Sequence, residues 1–154
     1  MQQACHNIDT YLWFFGMPSE VTSLLGTFAH QIEVEDHGAA LLKYTNGMIG
    51  TLIASTAARP GLPARLEVHC DKGTFVTLDD RISYWAIDGI DNPASDAPAA
   101  NGNNASSAAV TDTARHEDIL RDFETAVREG CPPLIDAHAA RQTTELILRI
   151  YGKV

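Results

Sequence analysis

Basic residues are scarce in this chain of 154 residues: 11 Lys and Arg stand against 20 Asp and Glu, for a formal net charge of −9. Only Lys43, Lys72 and Lys153 are lysines. No basic stripe is available to neutralise phosphates or an anionic leaflet, which excludes nucleic acid and membrane surfaces as partners. Cysteine is scarcer still. Cys5, Cys70 and Cys131 are far apart and share no C-x-x-C spacing, so a disulfide framework is excluded and a reducing, cytoplasmic setting is expected. Long hydrophobic runs are missing as well. The apolar run Tyr11 to Phe15 is too short for a signal-peptide core or a membrane span, and no basic residue precedes it. Also absent are G-x-G-x-x-G, a Walker loop, G-x-S-x-G and H-E-x-x-H. The chain is therefore expected to hold no cofactor and no metal by itself, and to carry no serine-hydrolase site.

What is present is a globular composition, 45% hydrophobic, in a length that suits one domain over residues 1–154 and buries roughly 70% of its unfolded surface. Ala4, Ile8, Leu12 and Phe15 recur at helical spacing, predicting a first helix from Gln2 to Phe15 that stops at Gly16 and Pro18. From Glu20 to Asp88 the period changes to two. Residues 41–45 and 48–53 flank Asn46-Gly47, a pair suited to a type I′ hairpin, and Arg65 to Cys70, Thr74 to Leu78 and Ile82 to Ile87 add further strands. Residues 89–114 carry little beyond alanine that is apolar, and a flexible loop is expected there. Two amphipathic helices follow, one through Ile119, Leu120, Phe123 and Val127, the other capped by Asp136 and carrying Thr143, Leu146, Ile147 and Ile150. Strands grouped together and helices grouped together predict an α+β fold, an open, largely antiparallel β-sheet of five or more strands with helices on one face. Tyr84 and Trp85 then place aromatics on opposite faces of one strand, and the uncovered face is expected to pair with another copy in at least a dimer.

Candidate chemistry concentrates on the first helix. Counting about 100° per residue from Gln2, His6 falls near 40°, Asp9 near −20° and Trp13 near 20°, so Gln2, His6, Asp9 and Trp13 form one stripe away from the apolar face. An imidazole with a carboxylate one turn along is the pairing of a general base, since the carboxylate orients the ring and raises its basicity. The same residues also suit a solvated helix face with an incidental neighbour pair. In His30 to His37, a strand would align Glu33, Glu35 and His37 as metal ligands are aligned, yet alternation with Ile32 and Val34 is what any half-exposed strand shows, and no metal is assigned. His69 reads as a sheet-surface residue.

Taken in order, His6-Asn7-Ile8-Asp9, Trp13-Phe14-Phe15-Gly16, Glu33-Val34-Glu35-Asp36, Asn46-Gly47, Pro60-Gly61, Arg65-Leu66-Glu67, Lys72-Gly73-Thr74, Asp122-Phe123 and Gly130-Cys131-Pro132-Pro133 resemble the C-terminal domain of the Gfo/Idh/MocA family of NAD(P)-dependent oxidoreductases. The resemblance implies a two-domain enzyme whose N-terminal Rossmann domain, not found in this chain, holds NAD or NADP, while the domain seen here covers the substrate and mediates oligomerisation. It implies a catalytic role for His6, taking a proton from a sugar, cyclitol or related polyol as hydride passes to the nicotinamide. It implies substrate contacts for Asp9 and for Gln2, an amide standing where many members have aspartate. The isolated chain is then expected to be inactive. The alternative is a stand-alone, non-catalytic binding or assembly module of the same fold.

Overall fold

The computed structural model describes residues 4–79, 81–94 and 114–154, with the side chains of Ala114 and Arg115 left aside. Gln2 and positions 95–113 of the expected loop lie outside the described residues. The element order is α1 (Cys5–Phe15), β1 (Glu20–Gly26), β2 (His37–Lys43), β3 (Ile49–Ser55), β4 (Arg65–Cys70), β5 (Gly73–Leu78), β6 (Arg81–Ile87), α2 (Ala114–Glu129) and α3 (Ala137–Ile150). The α+β expectation holds. All pairings are antiparallel, and the six strands fall into two three-stranded sheets, β1-β2-β3 and β4-β5-β6. Between them, residues 56–64 carry Pro60 and Pro63, which offer no N–H to a ladder. The chain divides into two compact units, residues 1–57 with 111–154, and residues 58–110.

In the first unit, α1 and α3 cover one face of β1-β2-β3. Along β2, Ala40 and Leu42 turn inward and Leu41 outward, the period of two expected of a strand. Ile8 and Leu12 from α1 meet Ala40, Leu42 and Tyr44 and, from α3, Leu146 and Ile150 in one buried cluster. Polar bonds lock the helix ends onto the sheet. Arg149 donates to the carbonyls of Pro18 (2.6 Å) and Ser19 (2.8 Å), and Ser23 Oγ donates to the Ile150 carbonyl (2.5 Å). α1 ends at Gly16, φ 68°, whose N–H returns to Leu12 O, while α3 begins under Asp136, whose carboxylate accepts from Ala139 N at 2.8 Å. On β3 a Cβ at Gly50 would meet the Tyr11 hydroxyl, so any larger residue there requires the Tyr11 ring to shift.

The β2-β3 hairpin is where the sequence places it, but its turn differs. Only Gly47 has positive φ (89°), Gly47 N donates to Tyr44 O and Tyr44 N to Met48 O. Thr45-Asn46-Gly47 is thus a three-residue loop, not a two-residue type I′ turn, which would need positive φ at Asn46 too. Asn46 instead uses its side-chain oxygen to accept from Met48 N at 3.0 Å.

In the second unit, the β5-β6 register shifts between Val76 and Thr77, and Val76 is its buried hydrophobic residue among those described. Tyr84 pairs with Val76 and Trp85 with Phe75, so the two aromatics do face opposite ways. Trp85 rests on Phe75, ring centroids 5.8 Å apart, and its Nε1 donates to Ile90 O at 2.8 Å.

Candidate functional site

Helical spacing places His6, Asp9 and Trp13 on the outward face of α1, and the structure keeps all three exposed while Ile8 and Leu12 face the core. Thr10, one turn from His6, donates its hydroxyl to the His6 carbonyl at 3.0 Å. The Asp9 carboxylate is held across the helix layer, since Thr143 on α3 donates to its Oδ1 at 2.6 Å. Asp9 is therefore anchored to a second helix, with a carboxylate oriented by a charge-assisted hydrogen bond. Trp13 is 80% exposed and packs edge-on against Phe14, centroids 4.9 Å apart at 78°. Beneath the stripe, burial raises the pKa of the Tyr11 and Tyr44 phenols. Both stay neutral, and Tyr44 donates to Gly16 O at 3.1 Å.

The segment from His30 to Asp36 is a loop, not the half-exposed strand expected of it, because β2 begins only at His37. Asp36 explains why. Its side chain is buried and accepts from the backbone N–H groups of Phe28 (2.8 Å), Ala29 (2.7 Å) and His30 (2.9 Å), and it meets His30 Nδ1 at 3.2 Å. Burial alone would raise this carboxyl, but the backbone donors outweigh it and hold the pKa at about 2. Glu35 leaves any row with Glu33 and His37, since its Oε1 accepts from Tyr151 at 2.5 Å. Among the described residues no group of three or more His, Cys, Asp and Glu is placed to hold a metal.

His69 sits on an exposed sheet surface, bonded to Thr74 Oγ1 (3.0 Å) and Glu67 Oε1 (3.1 Å), with Arg65 donating to Glu67. Two residues that sequence reasoning missed are Thr143 and Asp36. Thr143 carried a signal, as the polar member of the inward stripe of α3. Asp36 carried none, because the N–H groups it binds lie six to eight residues upstream in an irregular loop.

Residues 1–76 match the family model of the GFO/IDH/MocA C-terminal domain. Over that stretch, just under half of the chain, the sequence is similar to the Gfo/Idh/MocA C-terminal domain. No curated protein matches the sequence. In fold, the domain is similar to the WlbA dehydrogenase from Bordetella pertussis, solved in complex with NADH and UDP-GlcNAcA, at 24% identity and TM-score 0.78 over 99% of this chain and 42% of that one. It is also similar to the UDP-N-acetylglucosamine 3-dehydrogenase GnnA from Acidithiobacillus ferrooxidans, at 17% identity and TM-score 0.60 over 97% of this chain and 44% of that one. The chain thus spans less than half the length of either protein. No helix among its described residues is long and apolar enough to cross a membrane.

Among the described residues, the starts of α1 and α3 do not fit a dinucleotide. A pyrophosphate needs a glycine-rich turn opening a helix, so that backbone N–H groups approach it closely. α1 opens at Ala4, and the start of α3 is already occupied by the Asp136 carboxylate, whose charge repels a phosphate.

Proposed function

We propose that this chain is the substrate-binding and oligomerisation domain of an NAD(P)-dependent oxidoreductase acting on a sugar, cyclitol or related polyol, and that it is inactive alone. The observation that carries the reading is the outward stripe of α1, an exposed His6 one turn from an Asp9 whose position Thr143 fixes. Oxidising a secondary alcohol requires a group that removes the hydroxyl proton as the neighbouring hydrogen leaves as hydride, and an imidazole does this near neutral pH. His6 is that base. Asp9 accepts hydrogen bonds from other hydroxyls of the substrate, and Gln2 can both accept and donate them. NAD or NADP would supply the hydride acceptor, held by residues other than these. Within the polyol class the reading favours a nucleotide-linked sugar, supported by the UDP-GlcNAcA bound to WlbA and the UDP-N-acetylglucosamine specificity in the name of GnnA. The free thiols of Cys5, Cys70 and Cys131 support a cytoplasmic setting.

The assembly half of the proposal rests on a bare sheet surface. Opposite its helices, β1-β2-β3 exposes Leu24, Leu41, Ile49 and Ile53, each more than half accessible, around a shallow concavity of about 240 Å³. On the other sheet Tyr84 is 54% exposed. Apolar surfaces of this kind mark interfaces, and two copies packed through their sheet faces bury them. Light scattering after size exclusion should report at least a dimer that Ile53→Asp dissociates; a monodisperse single chain contradicts this half.

The catalytic half is tested with the chain supplied with a dinucleotide-binding Rossmann domain. His6→Ala should lower kcat by about 10² to 10⁴ while KM changes little. Undiminished turnover removes His6 from the reaction and favours a non-catalytic module. Calorimetry of the chain alone with NAD or NADP should show no saturable binding.

A further inference from the structure

We infer that Trp13 is the platform on which the sugar ring of the substrate rests while one hydroxyl meets His6, an inference that depends on the dehydrogenase reading above. The two tryptophans of the chain make the case by contrast. Trp85 is half-buried, lies against Phe75 and has its indole N–H satisfied by Ile90 O at 2.8 Å. Trp13 is 80% exposed on an amphipathic helix whose other face supplies Ile8 and Leu12 to the core. Its edge-on packing with Phe14 orients the indole and leaves most of its surface open. A large aromatic held in water serves neither the core nor solubility, and aromatic surface beside a few placed polar groups is the make-up of a ligand site.

Spacing identifies the ligand. Seven residues separate Trp13 from His6, two turns and about 10.5 Å along the axis. Helical side chains lean toward the N-terminus alike, so the indole lies over the Asp9 and Thr10 turn, the imidazole is displaced the same way, and the offset of about 10.5 Å between them remains, room for one sugar ring stacked on the indole with a hydroxyl at the imidazole. A pyranose has an apolar face of C–H groups and a rim of hydroxyls. The indole suits the face, and the imidazole of His6 and the carboxylate of Asp9 suit the rim. A base such as uracil offers a flat face too, but no rim hydroxyl for a general base to deprotonate.

The test uses the 154-residue chain with Trp85→Phe, which leaves Trp13 as its sole tryptophan. Emission and calorimetric heat are followed in parallel during titration with UDP-N-acetylglucosamine, N-acetylglucosamine and UMP. The inference expects both sugars to blue-shift Trp13 emission saturably, UMP to leave it unchanged, Trp13→Leu to weaken UDP-N-acetylglucosamine binding about tenfold, and Trp13→Phe to retain affinity within about threefold. Binding heat for UDP-N-acetylglucosamine with unmoved Trp13 emission and undiminished affinity in Trp13→Leu overturns the platform and leaves the dehydrogenase reading standing. A shift produced by UMP alone overturns the sugar assignment. No heat with either sugar overturns the platform and the reading together.

Discussion

On the inner face of α1, Ile8 is fully buried and Leu12 is 6% exposed, packed against Leu42, Leu146 and Ile150; on the outer face of the same eleven residues, His6, Asp9 and Trp13 all stand in solvent. The inner side chains are interchangeable with others of like volume and shape, because all that is asked of them is close packing. The outer ones gain almost nothing from packing, so their chemical types answer to something other than stability. Residues that hold the fold and residues that carry the chemistry are thus neighbours in sequence yet separable by face. Asp9 is the exception that joins them, outward-facing but tied to α3 through Thr143.

That separation can be broken from either side. Ile8→Ala opens a cavity where nothing is exposed and should cost about 3 kcal/mol in denaturant unfolding, without altering which ligands bind. A loss under about 1 kcal/mol would mean that the inner face is not the core it is drawn to be. Next in size, Gly50→Ala drives a methyl into the buried Tyr11 hydroxyl and should cost about 2 kcal/mol through overpacking. Asp36 sharpens the comparison as a polar residue that is nevertheless structural. Its folded pKa of about 2 lies below the ordinary value, so its contribution is complete above about pH 4 and is lost as pH falls through about 2. Melting temperature against pH should therefore drop over that window in wild type, and Asp36→Asn should flatten this limb. Thr143→Val, which unties Asp9, should cost about 1 kcal/mol or less. His6→Ala should move stability by no more than about 0.5 kcal/mol.

The hairpin at Asn46-Gly47, the Asp136 cap, the glycine stops and the outward stripe of α1 were legible because each depends on residues within a turn or two of one another. Loop residues around Asp36 were not, since alternation of Glu33 and Glu35 with Ile32 and Val34 imitates a strand, and a buried carboxylate gathering three upstream N–H groups leaves no periodic trace. Division of the strands into two sheets was likewise invisible, because strand patterns say which face a residue takes but not which strand it joins. The Asp9 to Thr143 bond spans 134 positions. Only the fold brings those two residues together, although a threonine in an otherwise apolar stripe was a hint that something polar awaited it.

The account stands on the claim that the outward face of α1 receives the substrate. Backbone amide shifts of the labelled chain, followed by NMR as UDP-N-acetylglucosamine is added, address this directly. The account predicts saturable shifts at His6, Asp9, Thr10 and Trp13, with Ile8 and Leu12 scarcely moving. Saturable shifts confined to the bare face of β1-β2-β3 or to α2, with α1 unperturbed, would contradict it.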